Sequence, residues 1–102
     1  MTETRKAAEE CTTMAEVRAG VDSIDRDLSE LLAERFRFMQ AAARIKPERG
    51  MVRDEPRKAQ VIANVRAHAA ELGYPPEIAG MLWEELVEAS IAYEMDRFDE
   101  RS

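Results

Sequence analysis

The chain has 102 residues, 45% apolar and 35% charged, with four glycines, four prolines and a formal net charge of -6. This is the balance of one helical domain spanning residues 1–102, and its acidity excludes a nucleic-acid or anionic-membrane partner, which would need a basic face to release counterions. The lone cysteine, Cys11, cannot form an internal disulfide and has no companion for a metal set, so a free surface thiol is expected.

Met1 to Glu10 carries charges and no apolar run, and no stretch approaches the roughly 18 apolar residues of a membrane span. A cytoplasmic protein with a frayed segment 1–12 is expected. The first helix begins at Thr13, where Thr13-Met14-Ala15-Glu16 has the spacing of a capping box. Val17, Val21, Ile24, Leu28, Leu31, Arg35, Phe38, Ala42 and Ile45 then follow in steps of four and three, a coiled-coil seam reaching about Lys46. At ~1.5 Å per residue such a helix is about 50 Å long, more than a compact monomer of this size can cover. A second chain must shield part of it, so the expectation is an all-α, intertwined homodimer with three helices per chain.

Pro47 to Pro56, with its proline, glycine and charges, marks a mobile connection. Asp54 can cap a second helix with Pro56 in its first turn and an apolar face of Val61, Ile62, Val65, Ala69 and Leu72, closed by Gly73. Pro75 and Pro76 reset the chain for a third helix. There Ile78, Leu82, Leu86, Ala89 and Tyr93 make one stripe, and Trp83, Val87 and Phe98 border a second.

The chemistry resides in polar residues at apolar positions. Arg35 interrupts the seam, and an isolated arginine there either reaches solvent or pairs across a dimer. Lys46, eleven residues on, returns to the same face after about three turns, so two cations can converge on one ligand. Arg18 is too far along a straight helix to join them and would serve the partner's site. Ser90 and Glu94, four apart, share the face of Trp83 and Val87, although a water-facing flank would look alike. Arg57, read alone, is a routine surface charge, and His68 is a surface histidine. Together these residues supply four cations in an acidic chain, with no nucleophile and base pair, no phosphate loop and no metal constellation. A small polyanion, bound electrostatically and without a cofactor, fits that inventory.

The segments Cys11 to Arg18, Val21-Asp22-Ser23-Ile24-Asp25, Leu31 to Arg35, Val52 to Arg57 and Ser90 to Glu94 resemble the all-helical class of chorismate mutases, with their isochorismate pyruvate lyase relatives. The resemblance spans roughly Cys11 to Phe98. It implies that the partner chain's Arg18 and Arg35 clamp two substrate carboxylates, assisted by Arg57 and Ser90, and that Lys46 and Glu94 flank the ether oxygen. Asp54 would act as helix cap, as a backbone contact to substrate, or both. The implied reaction is the pericyclic conversion of chorismate to prephenate, in which charge gathers on the ether oxygen. Restraint and aimed donors suffice for it.

Two positions depart from the commoner pattern of these mutases. Glu94 stands where many have glutamine, and a carboxylate donates a hydrogen bond only when protonated, which implies burial in the neutral form or activity at mildly acid pH. Lys58 stands where many have a glutamate that meets the substrate hydroxyl. That implies either a weaker or secondary mutase or a substrate whose hydroxyl lies elsewhere on the ring, as in isochorismate, which a lyase converts to salicylate and pyruvate; Ser90 favours the mutases. A non-catalytic helical dimer is the alternative of a different class.

Overall fold

The computed structural model describes residues 5–101, and among them all regular structure is helical. Three long helices are joined by short segments: α1 (Met14–Ile45), α2 (Glu55–Leu72) and α3 (Pro76–Asp99), with 3-10 turns at Ala8–Glu10 and Arg49–Met51. No helix is long and apolar enough to cross a membrane among the described residues. The chain divides into two compact units, residues 1–37 and 38–102.

In the first unit, the start of α1 is fixed by the expected box. Thr13 Oγ1 accepts from the Glu16 amide at 3.2 Å, and Glu16 Oε1 accepts from the amides of Thr12 at 2.8 Å and Thr13 at 3.2 Å. Lys6 adds an ion pair to the same carboxylate at 2.6 Å. That hydrogen bond, then the Thr12 amide, lowers the Glu16 carboxyl to about 2. Of the segment 1–12 expected to fray, residues 1–4 lie outside the described residues. The remainder contains the 3-10 turn, and Arg5 reaches Asp27 at 2.7 Å and Ser23 at 3.3 Å. Cys11 is a half-buried free thiol that donates to the Ala7 carbonyl.

In the second unit, α2 begins where Asp54 accepts from the Arg57 amide at 3.0 Å, with proline in the first turn. It ends at Gly73, whose φ of 93° is the left-handed conformation that a side chain opposes. The turn to α3 is short, and α2 and α3 are antiparallel. Arg66 lies over Gly80 near the turn, whereas Lys58 meets Glu84 and Glu88 farther from it, and Arg53 meets Glu88 from beyond the helix start.

The connection expected to be mobile holds the second 3-10 turn, a buried Val52 and two ion-paired arginines. Pro47 lies at its start, where the missing amide and the restriction on the preceding residue end α1. The core is made of small residues: Ala43, Val52, Ala69, Ala79 and Val87 are buried, and among the described residues no large side chain is fully so. On α3 the stripe is exposed at Ile78, Leu82 and Ala89 and half-buried at Leu86 and Tyr93, and the buried positions are Ala79, Gly80, Val87, Ser90 and Glu94. The large side chains Leu31, Phe38, Ile45 and Leu82 are exposed on the single chain.

Candidate active site

The two residues that the resemblance implies flank a reacting oxygen, Lys46 and Glu94, lie in the second unit, and they meet. Lys46 is the first residue after α1. Its amide still bonds to the Ala42 carbonyl at 2.9 Å, and its Nζ lies 2.7 Å from Glu94 Oε2. The Glu94 side chain is 5% exposed and that of Lys46 29%, so a nearly sealed carboxylate faces a cation with access to solvent.

The ammonium approaches off the direction of a hydrogen bond. The contact is therefore an ion pair that leaves Oε2 buried with its hydrogen-bonding capacity unused.

Ser90 lies one turn before Glu94 on the same face and is buried. Its hydroxyl donates to the Leu86 carbonyl at 2.7 Å, which removes the cost of burial and fixes the rotamer. The water-facing flank that Ser90 and Glu94 could have formed is thus a packed face. Nearer its start the helix lays alanine and glycine against α2 at Ala79 and Gly80.

Asp54 caps α2. Arg57 is exposed, and its guanidinium donates to Gln60 on its own helix at 2.5 Å. In the first unit, Arg18 is exposed and Arg35 is half-buried. Within the second unit, then, Lys46, Glu94 and Ser90 share one packed region, and Arg57 is held on the surface of α2. His68 is exposed, and no three potential ligands among His, Cys, Asp and Glu converge among the described residues.

Lys58 has a different setting. Its Nζ bridges Glu84 at 2.7 Å and Glu88 at 2.6 Å, and Arg53 reaches Glu88 at 2.7 Å and Glu55 at 2.7 Å. Hydrogen bonds to the two glutamates, that to Glu84 first, raise the ammonium to about 12, and those from Arg53 and then Lys58 lower Glu88 to about 2. Sequence reasoning missed this cluster. The available signal was Glu84 and Glu88 themselves, since like charges four apart on a helix repel unless a cation from elsewhere sits between them. It also missed Arg101, whose guanidinium bonds to the carbonyls of Ala43 and Lys46.

Among its described residues the chain is all-helical and sets a buried carboxylate against a lysine. The family model for chorismate mutase type II matches residues 17–95, and the chain belongs to that family. All seven candidate positions, from Arg18 to Glu94, fall inside the match. The chain is also 28% identical over 87 residues to a protein of Pseudomonas aeruginosa named isochorismate pyruvate lyase, covering 85% of this chain and 86% of that one.

Proposed function

We propose that the chain is a cofactor-free chorismate mutase, residues 1–102 forming one domain of an intertwined homodimer that binds a small dicarboxylate. Arg35 and the partner chain's Arg18 clamp the two carboxylates in forked, charge-assisted hydrogen bonds, with Arg57, Ser90 and the start of α2 at Asp54 assisting. The clamp holds the extended substrate in its compact reactive shape. The carbon to oxygen ether bond breaks as a new carbon to carbon bond forms within the same molecule. No proton or electron is exchanged with the protein.

The carrying observation is the Lys46 and Glu94 pair: an ammonium 2.7 Å from a buried oxygen with unused hydrogen-bonding capacity, within the family match. Lys46 donates to the ether oxygen as negative charge gathers there, and in a nearly dry site one such donor is worth about 10²–10³ in rate. Glu94 flanks the same oxygen and holds the Lys46 ammonium beside it, 2.7 Å away. The dimer reading rests on exposed apolar side chains. Leu31 is 61% exposed, Phe38 65% and Ile45 70%, and covering each with a second chain contributes roughly 1.5–3 kcal/mol.

The second reading is an isochorismate pyruvate lyase, in which the ether bond breaks and a ring hydrogen passes to the departing three-carbon unit, giving salicylate and pyruvate. Two observations favour it: the name of the Pseudomonas aeruginosa relative, and Lys58, an ammonium that cannot accept a hydrogen bond from a substrate hydroxyl and is already engaged by Glu84 and Glu88.

Incubating the purified chain with each substrate separates the readings. Prephenate from chorismate, with little salicylate from isochorismate, is the expected outcome. Salicylate as the main product moves the assignment to the lyase, and turnover of neither substrate removes both.

A further inference from the structure

We infer that Arg101 is a positioning residue for Lys46, holding the end of α1 so that the ammonium stays against Glu94. The inference rests on the reading of Lys46 as the donor to the substrate.

The last carbonyls of a helix have no partners within it, and Pro47 removes the amide that would otherwise follow. At the end of α1 a side chain from the other end of the second unit meets that need. Nη1 of Arg101 donates to the carbonyl of Ala43 at 2.9 Å and to that of Lys46 itself. A guanidinium there also faces the negative end of the helix dipole, so charge and hydrogen bonding act together.

The clamp is itself held in place. The Arg101 guanidinium stacks over the Phe98 ring, 4.0 Å from its centroid. Two residues earlier, Asp99 takes a two-pronged hydrogen bond from Arg49, at 2.8 and 3.1 Å, which fastens the 3-10 turn after Lys46 to the end of α3. Lys46 thus has both flanks tied to the C-terminal turn of the helix that carries Glu94. The chain just beyond the turn that presents the carboxylate also sets the backbone of its cation. A long side chain aimed at a reacting atom tolerates little backbone drift, since a displacement of about 1 Å can cost on the order of a hundredfold in rate.

Arg101 also lines an open groove of about 670 Å³ with Gln40, Ala43, Arg44 and Arg97, so a small cation can reach its place from solvent. This permits a test by replacement. The purified full-length chain is compared with Arg101→Ala and Arg101→Lys for kcat and KM, for hydrogen exchange over residues 43–52, and for rescue by millimolar methylguanidinium.

Arg101→Ala is expected to lower kcat about tenfold while KM stays within about twofold, with faster exchange at the Lys46 amide. Methylguanidinium restores part of kcat saturably, and Arg101→Lys retains part of it. If kcat per folded molecule is unchanged, or if it falls without faster exchange and without rescue, the inference is overturned. Should the unmodified chain turn over neither substrate, the function reading fails, and the exchange comparison alone decides the clamp: faster exchange in Arg101→Ala supports it and equal exchange overturns it.

Discussion

Two lysines meet glutamates of α3 about a turn and a half apart, and the contacts differ in kind. Lys58 sits among exposed carboxylates with full hydrogen-bond geometry to Glu84 and Glu88, and Arg53 completes the group. Every charge there has a partner and solvent nearby, which makes it a clasp between α2 and α3. Lys46 meets one carboxylate, buried and off-axis, whose oxygen keeps its capacity to bond elsewhere. The first arrangement is complete in the isolated chain. Under the proposed function the second serves a site, whereas the first holds the fold.

The sharpest way to break that contrast is to remove each ammonium in turn. Lys46→Ala should lower kcat by about 10²–10³ with the helical signal intact, because it removes a donor present where charge develops. Lys58→Ala should leave kcat unchanged and weaken only the contact of α2 with α3. Equal losses from the two variants would erase the distinction.

Next in size is the loss of Glu94. If it flanks the reacting oxygen, Glu94→Ala should lower kcat, and Glu94→Gln, whose amide can donate there, should retain more of it. Equal activity in both variants and the unmodified chain contradicts the role.

The clasp responds to acid. Glu88 is held at about 2, below its ordinary 4.5, chiefly by the hydrogen bond from Arg53. A depressed carboxyl contributes stability that is present above about 4.5 and lost as pH falls toward about 2. Acid titration followed by circular dichroism should show stability declining across that window, less so in Glu88→Gln. The contribution is small because the group is exposed and screened. Smaller and more local is Gly73→Ala, which forces a side chain into the left-handed conformation and should lower stability by about 1 kcal/mol without touching kcat.

Much of the architecture was legible because it depends on local signals. Thr13 and Glu16 announce the start of α1, Asp54 and Pro56 that of α2, and Gly73 the turn, each through backbone groups only a few residues away. Lys46 and Glu94 were legible as a pair through the family resemblance, and the structure places them 2.7 Å apart. What escaped was non-local. Arg53, Lys58 and Arg101 find partners about 26–58 residues away, and no periodicity within one helix encodes which carboxylate or carbonyl a long side chain will reach. The inner face of α3 escaped in part for a related reason. Small residues such as Ala79 and Gly80 carry little hydrophobic signal, yet they allow the closest helix approach and so take the core.

The central claim is that two chains build each site, and mixing two defective variants tests it most directly. Arg18→Ala lacks the residue donated to the partner, and Lys46→Ala lacks the donor of its own site. Refolded together in equal amounts, half the dimers are hybrids with one intact site of two, so about a quarter of wild-type activity should return from two inactive samples. Activity that stays at the level of the separate variants, with hybrid dimers demonstrably formed or with no dimer at all, would contradict a shared site.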